Sequence, residues 1–162
     1  MSNKEVMIVT GAGQISMAIA RRVGYGKKIV MGDKNIENAK AIATTMNNAG
    51  VSPSQAPIEA ILKVDLYGTA VLLEEVGKVI EEGGVGVTIS SQSGWRMPAL
   101  TAKEDEQLAT TPTEELLNLD LLQPENIKDT LHAYQLAKRC NEKRVMAHST
   151  DWAITRFSLH RF

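Results

Sequence analysis

Short apolar runs alternate with segments of helical period along the first half of the chain. Residues 5–9 and 28–31 are apolar runs of the length and composition typical of buried strands. Between them Ile15, Ile19 and Val23 recur every four residues, and residues 35–48 carry a similar helical pattern. The order strand, helix, strand, helix predicts an α/β fold with a parallel sheet and crossover helices.

The second half continues with longer helical segments and one further strand. The pattern predicts a loop over 50–57, a long helix over 58–80 and a third strand over 85–89. Residues 95–125 are polar and marked by prolines, with one short helix expected to begin at Pro112, and a further helix is expected over 127–146.

Composition narrows the class of protein. The 162 residues suit one globular domain, and a net charge of −1 gives no bulk attraction to nucleic acid or to a membrane surface. The apolar runs are too short for a transmembrane helix. A single cysteine and three scattered histidines predict neither disulfides nor a metal site. We therefore expect a cytoplasmic protein with no nucleic-acid, membrane or metal partner.

A glycine turn follows the first strand and opens the first helix. Gly11 and Gly13 permit a tight turn and a close backbone approach to a pyrophosphate, and the helix beginning near Gln14 and Ile15 offers free N–H groups. Ser16 stands where the dinucleotide fingerprint has its third glycine. The alternative is an ordinary glycine-rich connection between a strand and a helix.

Asp33 lies 22 residues after Gly11, just past the second strand. A carboxylate at this place binds the ribose hydroxyls of a dinucleotide and repels a 2′-phosphate, which favours NAD over NADP. The alternative is that Asp33 caps the helix that starts near Asn35.

Three side chains suggest alcohol–carbonyl chemistry. Tyr134 and Lys138 are four residues apart, so they share one helix face, and an ammonium favours the phenolate form of a nearby tyrosine. About 0.2 such pairs are expected by chance in a chain with this many tyrosines and lysines. Ser91 follows the third strand, at the end of the sheet where ligands bind, and its alternative role is that of a turn serine.

The chain resembles the short-chain dehydrogenase/reductase family over roughly residues 4–147. The resemblance rests on motifs in the family's order: Thr10-Gly11-Ala12-Gly13, Asp33, Asn48-Ala49-Gly50, Ile89-Ser90-Ser91 and Tyr134-Gln-Leu-Ala-Lys138. It implies a Rossmann-like doubly wound parallel sheet in a dinucleotide-binding domain over 1–147, followed by a tail over 148–162 that does not match the family. The long insert between Ser91 and Tyr134 is similar to that of the hydroxysteroid dehydrogenase/carbonyl reductase type.

The resemblance also implies roles for individual residues. Tyr134 would be the catalytic acid/base, Ser91 the hydroxyl that orients the carbonyl, and Lys138 the partner of both Tyr134 and the nicotinamide ribose. The cofactor-binding residues it implies are Gly11, Gly13, Gln14, Ile15, Asp33, Ala49, Gly50, Tyr134 and Lys138.

The long insert is one departure from the usual family pattern, and three others stand out. Asp65 occupies a helix position where the family usually has asparagine. The residues before Asn48-Ala49-Gly50 have a helical pattern, whereas the family has a strand there. In the family a strand, a helix and another strand separate the second helix from this motif, and this chain has no residues for them. After Ala147 the chain matches none of the family's later segments. We therefore expect an incomplete sheet that has lost a block near Gly50 and Val51, with apolar surfaces left exposed.

The sequence thus predicts an NAD-dependent oxidoreductase that interconverts a secondary alcohol and a carbonyl, with Tyr134 as general acid/base. A homo-oligomer, dimer or tetramer, is expected by analogy with the family. The alternative is a truncated, catalytically inactive nucleotide-binding or interaction protein. An α/β module unrelated to nucleotides is the third possibility.

Overall fold

The structure, a computed structural model, describes residues 5–10, 14–32, 54, 56–80, 84–154 and 158–161. The chain divides into two compact units, Met1–Gly50 and Val51–Phe162. Within the described residues no helix is long and apolar enough to cross a membrane.

The first unit contains a strand, a helix and a second strand in the predicted order. Strand β1 spans Val6–Thr10, helix α1 spans Gln14–Val23 and strand β2 spans Lys28–Gly32. The two strands pair in parallel, with Ile8 opposite Val30. Parallel pairing requires a crossover between the strands, and α1 is part of that crossover. The predicted helix over 35–48 lies outside the described residues.

Two glycines shape the connection from α1 to β2. A Cβ at Gly24 would lie 2.7 Å from Cδ1 of Ile29, so only glycine fits where the helix end meets the strand. Gly26 has φ +79°, a left-handed conformation that glycine adopts without steric cost.

One face of the first unit's sheet is covered and the other is not. Val9 of β1 and Ala20 of α1 are buried, whereas Val6, Ile8 and Val30 are each more than half exposed. The predicted apolar stripe of α1, Ile15, Ile19 and Val23, is exposed as well. The helix was predicted correctly, but among its described side chains the buried one is Ala20.

The second unit is built on two long helices. The first of these is a continuous helical stretch with three parts: helix α2 (Ile58–Ile61), a π-helical segment (Leu62–Tyr67) and helix α3 (Gly68–Gly77). They replace the single helix predicted over 58–80. The helix predicted over 127–146 is observed as Thr130–Ile154, which we number α5 because a shorter helix precedes it. The core joins both helices, and it includes Ile61, Leu66, Ala70, Ala133, Leu136 and Ala137.

The segment between the third strand and α5 holds more helix than the sequence predicted. Helix α4 spans Ala102–Thr110 and begins with a capping box, in which Thr101 and Glu104 bond reciprocally to each other's backbone N–H. Three short 3₁₀ turns follow, Thr113–Asn118, Asp120–Leu122 and Pro124–Asn126. Buried Leu108, Leu116 and Leu122 anchor this segment in the core.

A second parallel sheet pairs the predicted third strand with part of the tail. Strand β3 (Val85–Thr88) lies beside strand β4 (Ser158–Arg161), with Val87 opposite His160. The sequence analysis did not predict β4. The described residues thus combine helices with two small parallel sheets, as expected for a partial Rossmann-like α/β fold.

Candidate functional site

Tyr134 and Lys138 lie on the same face of α5. The Lys138 ammonium nitrogen is 5.3 Å from the centroid of the Tyr134 ring. Lys138 is only 9% exposed, and this burial lowers its pKa, while the negative charge of Asp65 acts in the opposite direction. The Lys138 ammonium and the Tyr134 ring are thus close neighbours on one face of the helix.

The turn that carries Ser91 packs directly against the Lys138 turn of α5. The Ser90 hydroxyl donates a hydrogen bond of 3.0 Å to the Lys138 carbonyl oxygen. A Cβ on Gly94 would lie 2.9 Å from the Arg139 backbone nitrogen, so the two backbones meet at the closest approach that glycine allows. The structure therefore brings the Ser91 turn to the helix turn that carries Lys138.

Ser91 itself caps the 3₁₀ turn Gln92–Trp95. Its side-chain oxygen accepts a 3.2 Å hydrogen bond from the Ser93 N–H. Accepting this bond uses a lone pair and leaves the hydroxyl hydrogen to be donated to a second partner. Ser91 therefore stabilises a turn, which is the alternative role given for it above. Its hydroxyl can still donate a hydrogen bond to a substrate oxygen.

Asp65 lies at the centre of the π-helical segment, and it is 2% exposed. The neighbouring Leu62 and Leu66 share one core cluster with Ala133 and Ala137 of α5. The segment therefore packs on the stretch of α5 that carries Tyr134 and Lys138. π-helical segments often mark functional sites.

A charged network holds two other elements to the same stretch of α5. The Arg139 guanidinium makes a two-pronged ion pair with Asp105 of α4, at 2.9 and 2.6 Å, and lies 4.0 Å from the ring centroid of Trp95. Lys143 adds a contact of 2.9 Å to the same carboxylate. The hydrogen bond from Arg139, with the contribution of Lys143, holds the pKa of Asp105 below its usual range.

Apart from Tyr134 and Lys138, the predicted cofactor residues belong to the first unit. Strand β1 ends at Thr10 and α1 begins at Gln14, so the glycine motif lies between a strand and a helix, as a dinucleotide site requires. Ile15 is 54% exposed in the first turn of α1. The other predicted cofactor positions of this unit, Gly11, Gly13, Asp33, Ala49 and Gly50, lie outside the described residues. Across the described part of the chain, no group of three or more His, Cys, Asp or Glu residues is placed to hold a metal ion.

Comparison with known proteins supports the family. The chain is 32% identical to the short-chain dehydrogenase/reductase bsc3 of Alternaria brassicicola, in an alignment of 194 residues that covers 93% of this chain and 69% of the relative. The chain belongs to the short-chain dehydrogenase/reductase family. No protein-family model matches the chain. No solved structure matches it either.

The alignment is longer than the part of this chain that it covers. Since 93% of 162 residues is about 151, an alignment spanning 194 positions leaves about 40 of them without a counterpart in this chain. A strand, a helix and a further strand occupy a similar length. The expected internal loss is therefore supported, and its location near Gly50 stays a prediction.

Sequence reasoning missed several residues that shape this candidate site. Ser90 was predicted only as part of the motif Ile89-Ser90-Ser91, and Gly94 was not singled out, although their contacts with α5 bring the turn against the helix. The capping pattern Thr101-Ala-Lys-Glu104 was a signal for α4, and with it for the placement of Asp105. Nothing in the sequence indicated that Arg139 would contact both Asp105 and Trp95.

Proposed function

We propose that this protein is an NAD-dependent oxidoreductase that interconverts a secondary alcohol and a carbonyl. The observation that carries the proposal is the buried Lys138 ammonium beside the Tyr134 ring, with the Ser91 turn packed on the same turn of α5. Membership of the short-chain dehydrogenase/reductase family supports the reaction class.

In this proposal three side chains of the second unit act on the substrate oxygen. The Tyr134 hydroxyl gives a proton to the oxygen when a carbonyl is reduced, and it takes the proton back when an alcohol is oxidised. The Lys138 charge stabilises the phenolate that Tyr134 becomes after giving up its proton. The Ser91 hydroxyl donates a hydrogen bond to the same substrate oxygen and thereby holds the carbonyl in place.

A bound nicotinamide cofactor would supply the hydride or accept it. In the first unit, Gly11, Gly13, Gln14 and Ile15 would bind its pyrophosphate region, because a helix that opens just after a strand presents free N–H groups to phosphates. Asp33 would bind the adenosine ribose, and its charge would disfavour a 2′-phosphate, so NAD is proposed over NADP. Ala49 and Gly50 are proposed to line the cofactor by resemblance to the family.

The test combines cofactor binding with turnover. NADH and NADPH are titrated separately into the purified chain, and absorbance at 340 nm follows reduction of a panel of ketones and aldehydes. We expect NADH to bind more tightly than NADPH, and Tyr134→Phe to reduce kcat by about 10²–10⁴-fold with NADH affinity nearly unchanged, because only the proton donor is removed. Equal turnover by the wild type and Tyr134→Phe would refute the role of Tyr134.

A second candidate function is nucleotide binding without catalysis. The roughly 40 alignment positions that this chain lacks favour it, since a reductase without part of its sheet can keep the glycine turn and lose a working pocket. NADH binding without turnover of any compound in the panel would support this candidate. A folded chain that binds no NADH would contradict both.

The expected homo-oligomer and cytoplasmic location stay predictions.

A further inference from the structure

A histidine in the first turn of α5 bonds back to the segment that precedes the helix. Its ring atom Nδ1, in His132, accepts a 3.2 Å hydrogen bond from the Lys128 N–H. The backbone N–H of His132 donates a 2.7 Å hydrogen bond to Oδ1 of Asp129. The side chain of Ile127 is buried in the core, which holds the neighbouring peptide group in place. His132 therefore ties the first turn of α5 to an anchored part of the chain.

The contact with Lys128 needs a neutral imidazole. Nδ1 is an acceptor only while the ring carries its single proton on Nε2, and a proton on Nδ1 would set two N–H donors against each other. A positive charge is also unfavourable in the first turn of a helix, where the helix dipole is positive. Burial lowers the pKa of His132, as does the charge of Lys128, while the charge of Asp129 raises it. The folded chain thus favours the neutral ring that the hydrogen bond requires.

The half-buried His132 ring also lines a cavity of about 290 Å³ between α5, α4 and the 3₁₀ turns. Two carboxylates line the same cavity, Glu104 of α4 and Asp120 of a 3₁₀ turn. Together with Lys128 and Asp129, they are the charged groups around His132 in the described part of the chain. Opposite charges attract, so a protonated ring that has left Lys128 finds negative charge across the cavity.

We propose that His132 is a pH-dependent latch, whose neutral ring holds the Lys128 N–H at the start of α5 and whose protonated ring releases it. Because the pKa of His132 is lowered in the folded state, the latch contributes its full stability above pH 6.5 and loses it as the pH falls through the folded-state pKa. Tyr134 lies two residues further along α5, so the latch acts on the end of the helix that carries it. The inference does not rest on the function proposed above.

The test is NMR of the ¹⁵N-labelled full chain, without cofactor or substrate, from about pH 8 to about pH 4.5. At high pH the His132 ring should carry its proton on Nε2. On acidification the ring nitrogens and the Lys128 amide should titrate with one common midpoint, below pH 6.5. Exchange of the Lys128 N–H with water, corrected for the intrinsic effect of pH, should become about fivefold faster below that midpoint, because one hydrogen bond is lost.

Three variants separate the hydrogen bond from the charge. His132→Asn places an amide oxygen near the position of Nδ1 and has no group that titrates, so the Lys128 N–H should stay protected at both ends of the pH range. His132→Phe keeps a ring without an acceptor, and exchange of the Lys128 N–H should be about fivefold faster throughout. His148→Asn changes a different histidine of α5 and should leave the Lys128 titration as in the wild type.

A neutral His132 ring that carries its proton on Nδ1 would overturn the proposal. A Lys128 amide that titrates in His132→Asn as it does in the wild type would also overturn it. If a variant does not fold, the position of the proton and the common midpoint in the wild type decide the question. None of these readouts depends on turnover, so the latch and the proposed oxidoreductase function stand or fall separately.

Discussion

Replacing Gly94 with alanine should separate the Ser91 turn from α5. The added Cβ would lie 2.9 Å from the Arg139 nitrogen and 3.2 Å from the Lys138 carbonyl carbon. Ordinary contacts between such atoms need about 3.5 Å, so turn and helix must move apart by about 0.6 Å. Both obstructing atoms belong to the backbone of a long helix, and rotation of a side chain therefore cannot relieve the clash.

This displacement has a calculable effect on the hydrogen bond beside it. The 3.0 Å bond from the Ser90 hydroxyl to the Lys138 carbonyl oxygen would lengthen to about 3.6 Å, beyond hydrogen-bonding range. Overpacking costs about 1–3 kcal/mol, and the entropy that alanine removes from the unfolded chain returns about 0.4–1 kcal/mol. We expect Gly94→Ala to lower the free energy of unfolding by about 1–2 kcal/mol.

Urea denaturation followed by tryptophan fluorescence measures this difference, since Trp95 lies in the same turn. Two variants serve as controls. Ser90→Ala removes the hydrogen bond without a clash and should cost about 1 kcal/mol. Gly68→Ala adds a methyl group in a helix, 3.3 Å from the Lys63 carbonyl oxygen, and should remain within about 1 kcal/mol of the wild type.

Catalysis gives a second measure of the same displacement. If Ser91 holds the substrate carbonyl, a shift of this size should reduce kcat/KM by about tenfold, because misplacing a reacting group by 1 Å costs about 10²-fold. A Gly94→Ala variant as stable as the wild type would refute the packing argument, whatever its activity. Reduced stability with unchanged kcat/KM, in a chain that turns over carbonyls, would refute the role of Ser91.

Two further predictions concern charged and sulfur groups near α5. Asp105→Asn should lower the free energy of unfolding at pH 7 by about 2 kcal/mol. Because the pKa of Asp105 is lowered in the folded state, the wild type holds this advantage above pH 3.8 and loses it as the pH falls through the folded-state pKa. A difference between the two proteins in urea denaturation that does not depend on pH would contradict the ion pairing of Asp105. Burial raises the pKa of the Cys140 thiol to about 12. Ellman's reagent at pH 8 should therefore find no reactive thiol in the native protein and one after denaturation. Rapid reaction of the native protein would contradict the burial of Cys140.

The elements that could be predicted from the sequence are those whose pattern is local. The strand β1, helix α1 and strand β2 follow from short apolar runs separated by a helical period, and their parallel pairing follows from that order. Helix α4 was missed although its capping box is also local, because residues 95–125 are polar and the one short helix predicted there was expected to begin at Pro112. Strand β4 could not be predicted, since its pairing with β3 joins residues about 70 positions apart.

For the candidate site, residue types could be predicted and contacts could not. The spacing of Tyr134 and Lys138 fixes their common helix face, and the structure agrees. The contact of Ser90 with the Lys138 carbonyl joins residues 48 positions apart and has no signature in either segment. The departure at Asp65 was visible in the sequence, but its burial in a π-helical segment that packs on α5 was not.

Exposed apolar positions and the alignment point to the same missing part of the fold. Parallel strands in a doubly wound sheet are covered on both faces, which is why such strands are apolar throughout. Here Val6, Ile8 and Val30 are more than half exposed in one sheet, and Val85 and Val87 are similarly exposed in the other. The relative from Alternaria brassicicola has about 40 aligned positions for which this chain has no residue, enough for two strands and a covering helix. These strands thus have the apolar pattern of a sheet that is covered on both faces, and we expect the unmatched positions to include the elements that cover them in a complete reductase.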